Sequence, residues 1–372
     1  MQTKRNRNMT SLHETMSRLH DPRVRNRSKH PLPSIIILSI LAVICGAEGY
    51  EAIALFGALH YEELRKRLYL PNGIPSHDTI NRVFQMINFR QFERLFVEWA
   101  KGMATECGAV NVIAIDGKTV RGSKDVFHDN PAIHLVHAWS VSNGLCLGQF
   151  RTKDKSNEIT AIPKLLDMLC ITGSVITIDA MGTQKDIAEK IVDGGADYIL
   201  ALKGNQGTLR QDVELMVGEQ SPIAEYEDVD KGHGRVETRK CEVYEPSSWI
   251  MENHPWKGIR SIVRITSTRW IASTGEETVE TRLYISSLDA GQPFCQLIRS
   301  HWAVENSLHW VLDMTFREDM QRKREGMAAE NFALVRKFAL NILKHDKGKG
   351  SLVTKRLKAG WSMDYMFSLL KF

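Results

Sequence analysis

The chain has no Cys-x-x-Cys pair, no apolar run long enough to cross a bilayer and no glycine-rich phosphate loop. Each absence closes a class of function. The six cysteines, at 45, 107, 146, 170, 241 and 295, show neither zinc-ligand spacing nor a disulfide framework. That usage fits a reducing cytosol, so a cytoplasmic protein is expected. The apolar run Ile35–Cys45 is too short for a membrane span, and Glu48 and Glu51 follow it closely. It lies behind a polar, basic stretch of about thirty residues and is not expected to be a signal peptide. Gly117-Lys118-Thr119 matches the end of a P-loop, but that motif needs glycine at 112, where the chain has Val112. No Gly-x-Gly-x-x-Gly follows a strand pattern. His134 and His137 are three apart on a strand, face opposite sides and make a poor zinc pair. ATPase, dehydrogenase and zinc-enzyme readings are excluded on these grounds. Internal repeats and low-complexity segments are also missing.

What is present is an ordinary globular composition, 43% apolar and 25% charged over 372 residues, enough for two or three domains. The net charge of +5 is unevenly placed. Residues 1–30 hold eight Lys/Arg and two Asp/Glu, a balance of +6. They show no apolar periodicity and read as a basic flexible arm. Such an arm on a near-neutral body suggests a polyanionic partner, nucleic acid before membrane, or a solvated tail.

Residues 31–107 read as a small helical domain, for DNA binding or for packing. Pro31 and Pro33 open its first helix, Ser76 or Asp78 caps a later one, and Phe92, Leu95, Phe96 and Trp99 mark the last. From Asn111 the texture changes to strands. Runs at His134–Val141 and Leu145–Thr152 flank Ser142-Asn143-Gly144, a strong hairpin signal. Helices over Asn157–Leu169 and Thr183–Val192 alternate with strands ending at Asp179 and Leu202. The order is β-β-β-α-β-α-β across 108–202, with an antiparallel meander first, which fits a doubly wound dinucleotide fold poorly. Residues 203–283 read as a β-rich insertion, with strands at Val236–Tyr244, Gly258–Ser267 and Thr278–Ile285. Residues 284–372 return to helices, one over Pro293–Asp313 with Trp302 and Leu308 toward a core, another over 331–344.

Two strand patterns run into an acid: Val112-Ile113-Ala114-Ile115-Asp116-Gly117 and Val175-Ile176-Thr177-Ile178-Asp179. A buried carboxylate must be paired, hydrogen-bonded or on a metal. Either acid alone could cap the turn after it; the pair points to divalent cations. In the helix of residues 293–313, His301, Glu305, His309 and Asp313 fall four apart, along one row. With the two strand-end acids, Glu305 becomes the natural third ligand. Three carboxylates can hold two Mg²⁺ or Mn²⁺ roughly 3.5–4 Å apart, the arrangement used for in-line phosphoryl transfer.

These residues resemble a known family. AIDGKTVRGS (114–123) and TIDAMGTQKDIAEKIVDGGADYILALKGNQ (177–206) are similar to the catalytic core of DDE transposases from bacterial insertion sequences. GHGRVETRKCEVY (232–244) and IRSHWAVENSLHWVLDMTFRED (298–319) resemble the branch of H-repeat-associated proteins linked to Rhs elements. DPRVRNRSKHPL (21–32) and LPNGIPSHDTINRVF (70–84) match that branch's N-terminal region. The resemblance covers about residues 20–370. It implies an α/β, RNase H-like mixed-sheet core with an N-terminal helical domain and a β-rich insertion. It also implies Asp116, Asp179 and Glu305 as catalytic metal ligands, two Mg²⁺ or Mn²⁺ ions, and cleavage of element ends followed by joining to target DNA. The implied partners are DNA, at terminal inverted repeats and target, and further copies of the chain on it. A domesticated relative that only binds DNA, or a metal nuclease that cuts without joining, would share these residues. A larger related group carries Tyr, Arg and Lys around the third acid, where this chain has Ile298, His301 and Leu312. The DNA-gripping role of those side chains does not carry over. Lys118, Arg121, Arg299, His301 and His309 are the candidates to contact DNA, with Lys118 and Arg121 equally readable as surface charges.

Overall fold

The computed structural model describes residues 11–24, 28–104, 111–152, 158–232 and 234–370. Its first helix, α1 (Leu12–Ser17), is capped by Ser11, whose hydroxyl accepts from the Glu14 amide at 3.1 Å. Leu12, Met16 and Leu19 are buried at helical spacing, and α1 packs on α2 (Leu32–Ile44). The flexible-arm reading of 1–30 is corrected for this part. Three apolar residues on one face suffice to dock a short helix, and the surrounding charges hide them in the sequence. Residues 1–10 and 25–27 lie outside the described residues.

Every residue of α2 except Pro33 is buried, as a helix apolar on all sides must be. It packs against α3 (Tyr50–Leu59), which is followed by α4 (Tyr61–Leu64), α5 (His77–Met86) and α6 (Phe89–Met103). Ser76 caps α5 and Asn88 caps α6, each accepting an amide of the first turn.

The strand region follows the expected order: β1 (Asn111–Thr119), β2 (His134–Ser140), β3 (Leu145–Thr152), α7 (Glu158–Met168), β4 (Ser174–Ile178), α8 (Lys185–Asp193) and β5 (Asp197–Leu202). Gly144 closes the β2–β3 hairpin with φ +62°, a conformation glycine adopts freely. β1, β2 and β3 are antiparallel, while β1, β4 and β5 are parallel neighbours. The spatial order β3-β2-β1-β4-β5 is an RNase H-like mixed sheet.

The segment after β5 comprises α9 (Gly207–Glu219), β6 (Ala224–Gly232), β7 (Arg235–Tyr244), α10 (Ser248–Asn253), β8 (Ser261–Ile271) and β9 (Glu277–Ser286). β9 pairs antiparallel with β5, Leu200 opposite Ile285, so the insertion continues the core sheet to nine strands. β6 is the strand that the sequence pattern hides. It carries Glu225, Glu227, Asp228 and Asp230 and forms one edge of the sheet, where charge discourages pairing with other chains.

The remaining helices are α11 (Phe294–Ser300), α12 (Trp310–Met314), α13 (Ala328–His345), α14 (Leu352–Trp361) and α15 (Met363–Leu370). The single helix expected over residues 293–313 is broken. After α11 the chain turns, and Glu305–His309 forms a π-helical turn before α12. Trp302 is 52% exposed, not a core anchor, whereas Val304, Leu308 and Leu312 are buried.

Strand alternation explains the two faces. Ile113 and Ile115 join α7, α8 and α9 in one core. Ala114 points the other way, into a core that runs from α1, α2, α5 and α6 to α12, α13 and α15. The N-terminal helices therefore share their core with the last third of the chain. Asn341 of α13 hydrogen-bonds both the amide (3.0 Å) and the carbonyl (2.8 Å) of Cys146, which covers the edge strand β3. Among the described residues, no helix is long and apolar enough to cross a membrane.

Candidate active site

Asp116 does not end its strand. β1 runs on to Thr119 against β2, while its pairing with β4 stops at Ile115 opposite Ile178. The next residues on the two parallel neighbours are Asp116 and Asp179. Ile115 and Ile178 share one face of the sheet, so both acids emerge on the other. That face carries α11 and the π turn. Asp116, Asp179, Glu305, His301, Lys203 and Arg282 line one cavity there.

Local bonds hold the acids. Asp116 accepts from the Gly117 amide at 2.8 Å. Asp179 caps the turn Ala180–Gly182, accepting from the Met181 amide at 3.1 Å. Glu305 accepts from His309 Nδ1 at 3.0 Å, and the same nitrogen is 3.6 Å from Asp116. One ligand atom each from Asp116, Glu305 and His309 lies within 4.8 Å of the others, a set able to hold a divalent cation. Behind it, His309 Nε2 is 3.1 Å from Nδ1 of the fully buried His137.

Burial pushes the Asp116 carboxyl up to about 6; the neighbouring His309 opposes this, and the charges of Asp179 and Glu158 add to it. Glu305 is held below its ordinary value by the His309 hydrogen bond. Burial lowers His301, whose Nδ1 is 3.0 Å from the Thr177 hydroxyl. For Asp116 the folded state binds the proton more tightly than the unfolded chain. Its contribution therefore favours folding at low pH and is lost as pH rises toward 6. Cation binding needs the ionised form. The rise in melting temperature on adding Mn²⁺ should accordingly grow between pH 5 and pH 7, as differential scanning fluorimetry would read; a rise that is flat across that range would show that Asp116 does not ionise with the site.

The candidate DNA contacts sit in different surroundings. Lys118, a candidate to meet DNA, is only 7% exposed. Two residues beyond Asp116, it points to the same face, and its Nζ meets Asp313 (2.7 Å), Asp319 (3.0 Å) and Glu318 (3.9 Å). Burial alone would lower its pKa; those three acids outweigh it and raise it. Glu318 is fully buried and also faces Lys337 at 3.7 Å. His309, 4% exposed, faces the acids and not the surface. Arg299 pairs with Asp228 (3.3 Å) and Asp230 of β6. Arg121 is exposed, 3.4 Å from Asp319. A Cβ at Gly122 would run into the carbonyl oxygens of Gln321 and Asp319, so glycine there lets the turn after β1 lie against the segment that follows the third acid.

His137 escaped sequence reasoning, which weighs it only as a zinc partner of His134. The two do part company: His134 turns to Glu158 (2.6 Å) and Thr119 (2.8 Å). The signal that finds His137 is the β1–β2 register, which places it directly opposite Asp116.

Two family models match the chain: DDE_Tnp_1-associated over residues 13–100, and Transposase DDE domain over residues 110–342. The chain belongs to the DDE transposase family. Among its relatives in Escherichia coli K12 is the "H repeat-associated putative transposase YhhI". The two are 42% identical over 97% of this chain and 98% of that protein. "Putative transposase YncI" of Escherichia coli O157:H7 is 41% identical over 97% and 94%. "Putative protein YbfL" of strain K12 is 42% identical over 97% and 98%. The break between the two matched regions falls in residues 101–109, where this DDE transposase passes from its helical layer to β1.

Proposed function

We propose that this DDE transposase cuts the ends of its insertion element and joins them to target DNA, with Asp116, Asp179 and Glu305 as the metal-holding acids. The observation that carries the reading is the pair of acids next to each other where β1 and β4 part, lining one cavity with Glu305. The donor set fits the group. Hard carboxylate oxygens suit Mg²⁺ or Mn²⁺, and a half-buried acid such as Asp116, raised to about 6, is the kind that a cation relieves. When bound, such ions supply an activated water or DNA 3′-hydroxyl and neutralise the leaving oxygen. The chain's own part is to hold and orient. The backbone amides of Gly117 and Met181 fix the two aspartates, and His309 fixes Glu305. His301, Lys203 and Arg282 line the cavity, and with the exposed Arg121 they would meet phosphate oxygens. Incubating the protein with DNA bearing the element's own ends and Mg²⁺ or Mn²⁺ tests the reading. Metal-dependent nicks at the ends and joined products support it. Nicks without joining would make it a nuclease; binding alone would make it a DNA-binding relative.

The basic N-terminal residues add a separate expectation. Residues 1–10 contain Lys4, Arg5 and Arg7. Deleting them, while keeping α1 in its core, should weaken DNA binding and flatten the slope of log affinity against log salt by up to about 3, close to one for each phosphate that is no longer neutralised. An unchanged slope would show that this stretch does not touch DNA.

A further inference from the structure

We infer that His309 is itself a metal ligand, so that one ion of this site is held by two carboxylates and an imidazole: Asp116, Glu305 and His309. The inference rests on the reading of the acids as the catalytic site and deepens it.

Three observations carry it. The first is placement: His309 Nδ1 lies 3.0 Å from Glu305 and 3.6 Å from Asp116, nearer to both than a residue merely lining the cavity would need to be. The second is support. Metal-bound imidazoles use their other ring nitrogen to fix orientation and tautomer, and His309 Nε2 has such a partner, His137 Nδ1, at 3.1 Å. The ion would replace the proton that Nδ1 donates to Glu305; Nε2–H then donates to His137 Nδ1, which leaves the His137 proton on Nε2. Both rings are buried, at 4% and 0% exposure, so the pair cannot swing out to solvent without disturbing the core. The third is the backbone. Glu305 and His309 open and close the π turn. Such turns are rare and recur at functional sites.

A nitrogen donor changes which cation the site prefers. Mg²⁺ seeks oxygen ligands and keeps its water, whereas first-row transition ions accept imidazole. The site should therefore select Mn²⁺ or Co²⁺ over Mg²⁺ more strongly than carboxylates alone would.

The test is Mn²⁺ binding to the full-length protein, followed by electron paramagnetic resonance, with pulsed spectra to detect nitrogen bound directly to the ion. The wild type should show that nitrogen coupling. His309→Gln should lose it and bind Mn²⁺ more weakly, by at least the roughly 10–100-fold that losing an outer-shell partner costs. Competition with Mg²⁺ should change far less. His137→Gln should keep the coupling with weakened affinity. Thermal melts confirm that each variant is folded, and His309→Asn serves if His309→Gln is not. A wild type without nitrogen coupling, or coupling that survives in His309→Gln, overturns the inference. Asp116→Asn separates the two levels. If it weakens Mn²⁺ binding while His309→Gln does not, only the role of His309 falls. If it has no effect, the reading of the acids falls as well.

Discussion

Asp116→Asn, Asp179→Asn and Glu305→Gln should each abolish strand cleavage at element ends while leaving the fold and DNA binding nearly intact. An amide keeps the carboxylate's shape and removes its charge. A cation that is no longer held costs several kcal/mol of transition-state stabilisation, and at about 1.4 kcal/mol per tenfold the loss is roughly a thousandfold or more. The acids sit on separate elements, β1, the turn after β4 and the π turn, so no single local rearrangement explains equal loss at all three. Asp313→Asn is the contrast. Asp313 turns away to Lys118 at 2.7 Å, so its replacement should leave cleavage largely in place. Equal loss from Asp313→Asn, or substantial activity in any of the three amide variants, would make Asp116, Asp179 and Glu305 the wrong set.

The second large effect is on stability. Lys118→Met should destabilise the protein by about 3–5 kcal/mol, the cost of leaving buried charge without its partner. Lys118 reaches Asp313, Glu318 and Asp319, which belong to the segment just beyond the third acid, 195 to 201 residues away in sequence. Glu318 is fully buried, and its other cation, Lys337, is 3.7 Å away on α13. Removing Lys118 leaves an excess of negative charge in the interior. Arg121→Ala, at a side chain 84% exposed, should change stability by less than about 1 kcal/mol. Urea denaturation reads both. If the two variants melt alike, the cluster around Lys118 is not a structural clamp.

Much of the fold was legible because periodicity is local. The change from helical to strand spacing near Asn111, the Asn-Gly hairpin and the β-β-β-α-β-α-β order all follow from short windows, and the strands stand within a few residues of their expected places. β6 was not legible. Its buried positions are few and its composition is acidic, because it is an edge. The continuity of the insertion with the core sheet was not legible either. It depends on β5 pairing with β9, some eighty residues later, and no window contains both.

The site divides in the same way. Asp116 and Asp179 announce themselves by ending apolar runs, and Glu305 by its row of polar neighbours. The break into α11, a π turn and α12 is invisible to a pattern that assumes one helical period, and it is why Trp302 lies outside the core. Lys118 reads as a phosphate contact because it follows the first acid so closely. Strand alternation instead sends it to the same buried face as Asp116, where only the three-dimensional fold supplies its acids. His137 needs the register of β2 against β1 before it can be seen beside Asp116.

The central claim is that three carboxylates from distant parts of the chain share divalent ions in one cavity. Crystals of the full-length protein soaked in Mn²⁺ and measured at the manganese absorption edge test it most directly. Anomalous peaks bounded by Asp116, Asp179 and Glu305 are expected, and none in crystals of Asp116→Asn. Peaks at Asp313, Glu318 or Asp319 instead, or peaks that persist unchanged in Asp116→Asn, would contradict it.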